Sequence, residues 1–214
     1  AVGRAVEMGR PVHFTTGHGG DLSKTEDGPQ IMAGLGVFTY VARLCAEYGA
    51  KLIVSVGQPD TMPLLETYLR SAYLSESKEV PDLTDTLRYL SREQFAFVSA
   101  VTGIMRRERP AANIAVGPFW AESAQLVMSG SEVGAMQIIG TARPAQMPWF
   151  AVFSDYVLIG EEIYAAGAQL SGDRPTLNTL AAQDIGKFTG IVILILGVLL
   201  TAAGVPWIRN ILGM

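Results

Sequence analysis

The sequence has one cysteine and two histidines in 214 residues. Cys45 alone cannot close an internal disulfide, and His13 and His18, without cysteine partners, exclude a zinc site of the usual ligand spacing. Charge is scarce too: Asp, Glu, Lys and Arg make up 17% of the chain, against about a quarter in an ordinary soluble domain. The 16 basic and 20 acidic residues leave a net charge of −4, so no basic field exists to hold nucleic acid by counterion release, and DNA and RNA are set aside as partners. Repeats and low-complexity tracts are missing as well. With 49% hydrophobic residues the chain has the means to bury a sizeable core, which excludes wholesale disorder. No motif requires a metal or a cofactor, and none is expected.

What the sequence does contain is one long uncharged run. From Phe188 to Ile208 no charged residue occurs, and Lys187 and Arg209 bracket the stretch. At about 1.5 Å per helical residue it reaches roughly 30 Å, the thickness of a bilayer core. Trp207 beside Arg209 is the anchor expected at a lipid boundary. We therefore expect a single C-terminal transmembrane helix over 188–208 with a short tail at 209–214. Gly190, Gly197 and Gly204 recur at heptad spacing, with Gly186 a turn earlier. Such a face gains nothing from lipid but lets another helix backbone approach closely.

Ahead of this helix, short apolar runs bounded by Gly or Pro alternate with longer helical segments, the pattern of a parallel sheet covered on both faces. The expected fold is α/β, with a roughly five-stranded, mainly parallel sheet at Pro11–Thr16, Lys51–Gly57, Asn113–Gly117, Ala135–Gly140 and Tyr156–Gly160. Helices are expected over Gln30–Tyr48, Thr61–Tyr73, Arg92–Arg107, Trp120–Ser129, about Gln146–Ser154, and Glu161–Ser171. Gly49 should close the first, and Ser91 with Gln94 reads as a capping box opening the third. The polar stretch from Glu76 to Asp85 reads as a surface loop. The expected organisation is a globular α/β domain over 1–171, a juxtamembrane linker over 172–187, then the anchor. Alanine at position 1 leaves processing or an upstream segment in play.

In an open parallel sheet, ligands bind beyond the carboxyl ends of the strands, where loops converge and helix N-termini offer unpaired N–H groups. The first strand runs into Thr15, Thr16, Gly17, His18, Gly19 and Gly20, a loop whose amides could wrap an anion. It matches neither the dinucleotide fingerprint nor the triphosphate loop. The second strand delivers Asp60, the third Glu122 and the fourth Arg143, and these complete the candidate ligand set. Acidic residues in a first helical turn are also ordinary capping choices, which is the competing reading for Asp60 and Glu122. No nucleophile and base stand together in sequence, so no catalytic residue is assigned.

The strings AVGRAVEMGRPVHF, RYLSREQFA, RERPAANIAVGPFWAES, GAMQIIGTA and DYVLIGEEIYAA together resemble a prokaryotic family of membrane-anchored proteins defined only as a domain of unknown function. The resemblance spans nearly the whole chain and implies no activity, so no residue takes a catalytic role from it. It also implies members that are longer at the N-terminus.

These readings lead first to a non-enzymatic structural or accessory subunit of a membrane-bound assembly, joined to other subunits, as a homo-oligomer or within a larger complex, through its transmembrane helix and α/β domain. The alternative is a membrane-tethered enzyme or binding module for a small anionic ligand, phosphate- or nucleotide-like, at the strand-end rim. The expected location is the cell membrane, with the lipid bilayer as a partner and the domain on the cytoplasmic side, where a free cysteine is tolerated and no export signal is visible.

Overall fold

The computed structural model describes residues 1–18 and 20–202. The chain divides into two compact units, Ala1–Asp173 and Arg174–Met214. Gly19, and from the C-terminal run Gly204, Trp207, Arg209 and the tail at 209–214, lie outside the described residues.

The first unit is an α/β domain around a six-stranded, wholly parallel sheet. Helix α1 (Val2–Met8) leads into β1 (Val12–Thr15), α2 (Gly28–Tyr48), β2 (Leu52–Val56) and α3 (Met62–Ser75). A short α4 (Leu83–Thr86) precedes β3 (Leu87–Tyr89), followed by α5 (Gln94–Glu108), β4 (Ala112–Val116) and α6 (Ser123–Glu132). The domain closes with β5 (Met136–Thr141), α7 (Met147–Phe153), β6 (Tyr156–Ile159) and α8 (Glu162–Ser171). The strand order is β3-β2-β1-β4-β5-β6. Chain direction across the sheet therefore reverses between β1 and β4, which places a topological switch point at the centre.

The strands alternate sides, and the two sides differ in chemistry. Val12, Phe14, Leu52, Val54, Ile114 and Val116 pack with α1, α2, α3 and α8 into one apolar core. The opposite side packs under α5, α6 and α7 with Phe97, Val101, Ala115, Leu126, Ile139 and Phe150. It also carries buried polar residues, among them His13, Ser55, Asn113 and Gln137. A sheet buried on both faces has no solvated side on which to place them, so each must find a partner inside.

Gly49 ends α2 in the left-handed conformation, φ 69°, as expected. The capping box of Ser91 with Gln94 does not form. The helix starts at Gln94, and the Glu93 carboxylate caps it by accepting from Ala96 N at 2.6 Å, while Ser91 Oγ accepts from Glu93 N at 2.9 Å. A carboxylate is favoured there by the helix dipole, and its bonds from the amides of Ala96 and then Phe95 hold its pKa below the ordinary value.

The sheet has one strand more than the expected five. β3 is three residues long and lies at the edge, where Leu87 is buried and Tyr89 exposed, so it leaves no apolar run in the sequence. α1 escaped the sequence reading for a similar reason, burying only Val2 and Ala5. The end of the polar stretch expected as a loop carries the start of α4.

The second unit, as far as it is described, is helix α9 (Arg174–Ala202), 29 residues long and apolar enough to cross a membrane. The segment expected as a linker is helical from Arg174. Pro175 sits in its first turn, where proline is accommodated, and nothing that breaks a helix follows before the apolar run. Gly186, Gly190 and Gly197 lie on this helix, and a Cβ at Gly186 or Gly190 would meet nothing within 4 Å.

Candidate functional site

The carboxyl ends of β1 and β4 diverge at the switch point, and a crevice of about 370 Å³ opens there. It is lined by His18, Gly20, Asp21, Lys24 and Asp27 from the segment after β1, Gln58 after β2, Arg92 and Gln94 after β3, and Trp120 after β4. Its size falls within the ~300–1,000 Å³ of small-molecule sites. A larger cleft of about 470 Å³ is bordered by Lys51 and Leu52 at the start of β2, with Cys45, Tyr73 and Lys78, at the end of the strands where open sheets do not bind ligands.

Side chains tie the loops of the crevice together. His18 donates from Nε2 to the Arg92 carbonyl, and its own carbonyl accepts from Gln58 Nε2 at 3.0 Å. Arg92 reaches Asp60 at 3.6 Å. Gln94 donates to the Glu122 carboxylate, which also accepts from Trp120 N at 3.2 and 3.1 Å. From the β5 side, Arg143 pairs with Asp27, and its guanidinium carbon lies 3.7 Å from the centre of the Trp120 ring. Asp21 accepts from Ser23 N and Oγ at 2.9 and 2.7 Å. The Ser23 hydroxyl first, and then its amide, hold that carboxyl below the usual range.

The residues singled out in the sequence divide into three groups. His18 and Gly20 line the crevice, Asp60 reaches it through Arg92, and Arg143 braces Trp120. Thr15, Thr16 and Glu122 are buried around it; Thr15 Oγ1 donates to the Ser55 carbonyl at 2.9 Å and accepts from Gly17 N at 3.0 Å. Gly17, at φ 84°, is pressed against the chain after β4: a Cβ there would lie 2.8 Å from the Pro118 carbonyl and from the Phe119 ring. The glycine loop is thus shaped by packing. Its amides at Gly17 and Gly20, expected to face an anion, are bonded within the loop, the latter to the His18 carbonyl at 3.0 Å. Gly19 lies outside the described residues. Among the described residues, no cluster of three or more His, Cys, Asp or Glu side chains is placed to hold a metal ion.

The profile of the family described as "Domain of unknown function (DUF6754)" matches residues 1–212. The chain belongs to this family. No curated protein and no solved structure gives a match. The description of DUF6754 names no chemistry, so the roles of residues rest on geometry alone.

One triad-like arrangement does occur in this DUF6754 chain, away from the crevice. Ser55 Oγ lies 2.8 Å from His13 Nε2, and His13 Nδ1 lies 2.8 Å from Asn113 Oδ1, the connectivity of a nucleophile, a base and an orienting group. All three are buried within the sheet. Burial pushes the imidazole down to about 4 against a smaller upward contribution from Asn113, so it is a poor base. The set is structural.

The candidate set read from the sequence left out Asp21, Lys24, Gln58 and Trp120, and also Asp27, Arg92 and Gln94. The latter two follow β3, and recognising that short strand would have marked them as strand-end residues. Asp27 closes a long excursion after β1 and meets Arg143 only through the sheet order.

Proposed function

We propose that this chain is a membrane-tethered binding module for a small anionic ligand held in the switch-point crevice. The observation that carries the reading is the juxtaposition of Lys24, Arg92 and Trp120 around one open crevice at the carboxyl ends of the central strands. Asp27 is paired with Arg143, while the Asp21 carboxylate, bonded to Ser23, also acts on Lys24 and Arg92, and these two are the cations an anion would meet in its place. The Arg92 pair with Asp60 is long and exposed, and such a pair is worth little enough to be exchanged for a ligand. Tethering is supported by α9, which we place in the cell membrane with the domain on the cytoplasmic side. A thermal-shift screen with phosphate, sugar phosphates, nucleotides and carboxylates tests the reading. A ligand present at about a hundred times its Kd stabilises by roughly 2.7 kcal/mol, and Lys24→Ala with Arg92→Ala should remove the shift. No shift with any of them refutes it, and cleavage of the 76–85 segment by protease applied outside intact cells refutes the sidedness.

A second reading, a subunit of a membrane assembly, is favoured by Gly186 and Gly190 of α9, which leave room for another backbone. Gly190→Ile should then shrink the particle seen in mild detergent, at a cost on the order of 1 kcal/mol or more. A particle of unchanged size removes that support.

A further inference from the structure

We infer that the ligand of the crevice is a nucleotide, its base stacked on Trp120 and its phosphate met by Lys24 and Arg92. The inference rests on the proposed binding reading and names the ligand class. Trp120 stands at the crevice 43% exposed, directly after Phe119, which is fully buried. A lone exposed aromatic ring would by itself say little. This one is held in place from two directions. Both oxygens of the buried Glu122 carboxylate accept from its backbone N–H, and Arg143 lies over its ring at 3.7 Å while anchored to the buried Asp27. Ordering a large side chain costs conformational entropy; here the buried Asp27 contributes to that ordering through Arg143, while Glu122 fixes the backbone that carries the ring. With the guanidinium over one face, the residue still lines the crevice.

A fixed indole face bordering two cations is complementary to a molecule with a flat heterocycle at one end and negative charge at the other. Stacking of a base on an aromatic side chain is favourable for every base, since each has a π-face. Bare phosphate would use only the cationic half. Among the described residues, the amides of Gly17 and Gly20 are bonded within their own loop and not turned to a phosphate. A crevice of about 370 Å³ is of a size for a mononucleotide.

The test uses the full chain in detergent, with Trp149→Phe and Trp207→Phe so that Trp120 is the sole tryptophan. AMP, GMP, UMP, adenosine and inorganic phosphate are titrated separately, following tryptophan fluorescence and heat of binding. At least one nucleotide should quench Trp120 and bind about tenfold or more tightly than phosphate or adenosine. Trp120→Leu should remove that advantage while phosphate binding persists, and Trp120→Phe should restore part of it. Equal affinities for phosphate and the nucleotides, or nucleotide binding insensitive to Trp120→Leu, would overturn the inference while leaving anion binding intact. Absence of binding by all five would overturn both.

Discussion

The imidazole of His13 and the carboxamide of Asn113 meet at 2.8 Å on register-paired positions of β1 and β4. The contact continues on both sides, to Ser55 on β2 and, through Asn113 Nδ2 donating at 3.0 Å, to Gln137 on β5. Gln137 in turn donates to the carbonyls of Val127 and Phe153 and to Ser131 Oγ. The central four strands thus share one buried polar ladder. Apolar strands buried on both faces could slide in register with little penalty; a ladder whose members satisfy one another in one alignment penalises every slip.

The ladder makes stability depend on pH through His13. Its folded-state pKa lies at about 4, below the ordinary 6.5, so the unfolded chain takes up the proton first. The contribution is complete above pH ~6.5 and is lost as pH falls toward 4, amounting to about 3 kcal/mol. Urea midpoints should fall between pH 7 and pH 4.5, and the His13 Cε1–H resonance, assigned with a His18→Gln variant, should stay unmoved down to pH 5. A midpoint near 6.5 for that resonance would contradict the burial argument.

Gly167 of α8 and Gly36 of α2 are in backbone contact. A Cβ on Gly167 would lie 2.6 Å from the Ala33 carbonyl, and one on Gly36 would lie 2.6 Å from the Gly167 carbonyl. Gly167→Val should force the helices apart and cost roughly 1–3 kcal/mol, read as a Tm lower by several degrees. Gly3→Ala, where a Cβ meets nothing within 4 Å, is the control. Equal Tm values for the two variants would show that α2 and α8 can separate freely.

Arg143 is the counter-ion of Asp27, which is 1% exposed. Arg143→Met should leave that carboxylate buried without its cation, at a cost of about 3–5 kcal/mol. Denaturant unfolding of the variant measures it, and a loss under 1 kcal/mol would mean that water already reaches Asp27.

Cys45 is fully buried, and burial pushes its thiol up to about 12. A thiol held protonated and covered is inert. Native protein should therefore resist maleimide, while protein in concentrated guanidinium should label completely. Rapid stoichiometric labelling of the native form would show that the core around α2 opens readily.

Much of the architecture was legible because it is written locally. Leu52 to Val56 and Ala112 to Val116 are fully buried strands and stand in the sequence as apolar runs between glycines and prolines. Gly49 marks the end of α2 for the same reason, since a left-handed residue favours glycine wherever the rest of the chain goes. β3 was not legible, because an edge strand with one buried side chain has no pattern to display. The Glu93 cap was missed because serine and glutamate compete for that role within two residues of each other, and geometry selects between them.

Sequence by itself determined the α/β class, the parallel sheet covered on both faces and the long apolar C-terminal helix, since each follows from the periodicity and length of apolar segments. It also delivered His18, Gly20 and Arg143 as strand-end residues. Only the tertiary structure decided that β1 sits at the centre beside β4, that Arg143 crosses to Asp27 and Trp120, that His13 bonds to Ser55 and Asn113, and that the amides of Gly17 and Gly20 are spent within their own loop. These are pairings between residues far apart in the chain, fixed by strand order and register, and the hydrophobic pattern of a segment states which face it buries without stating which neighbour it buries against.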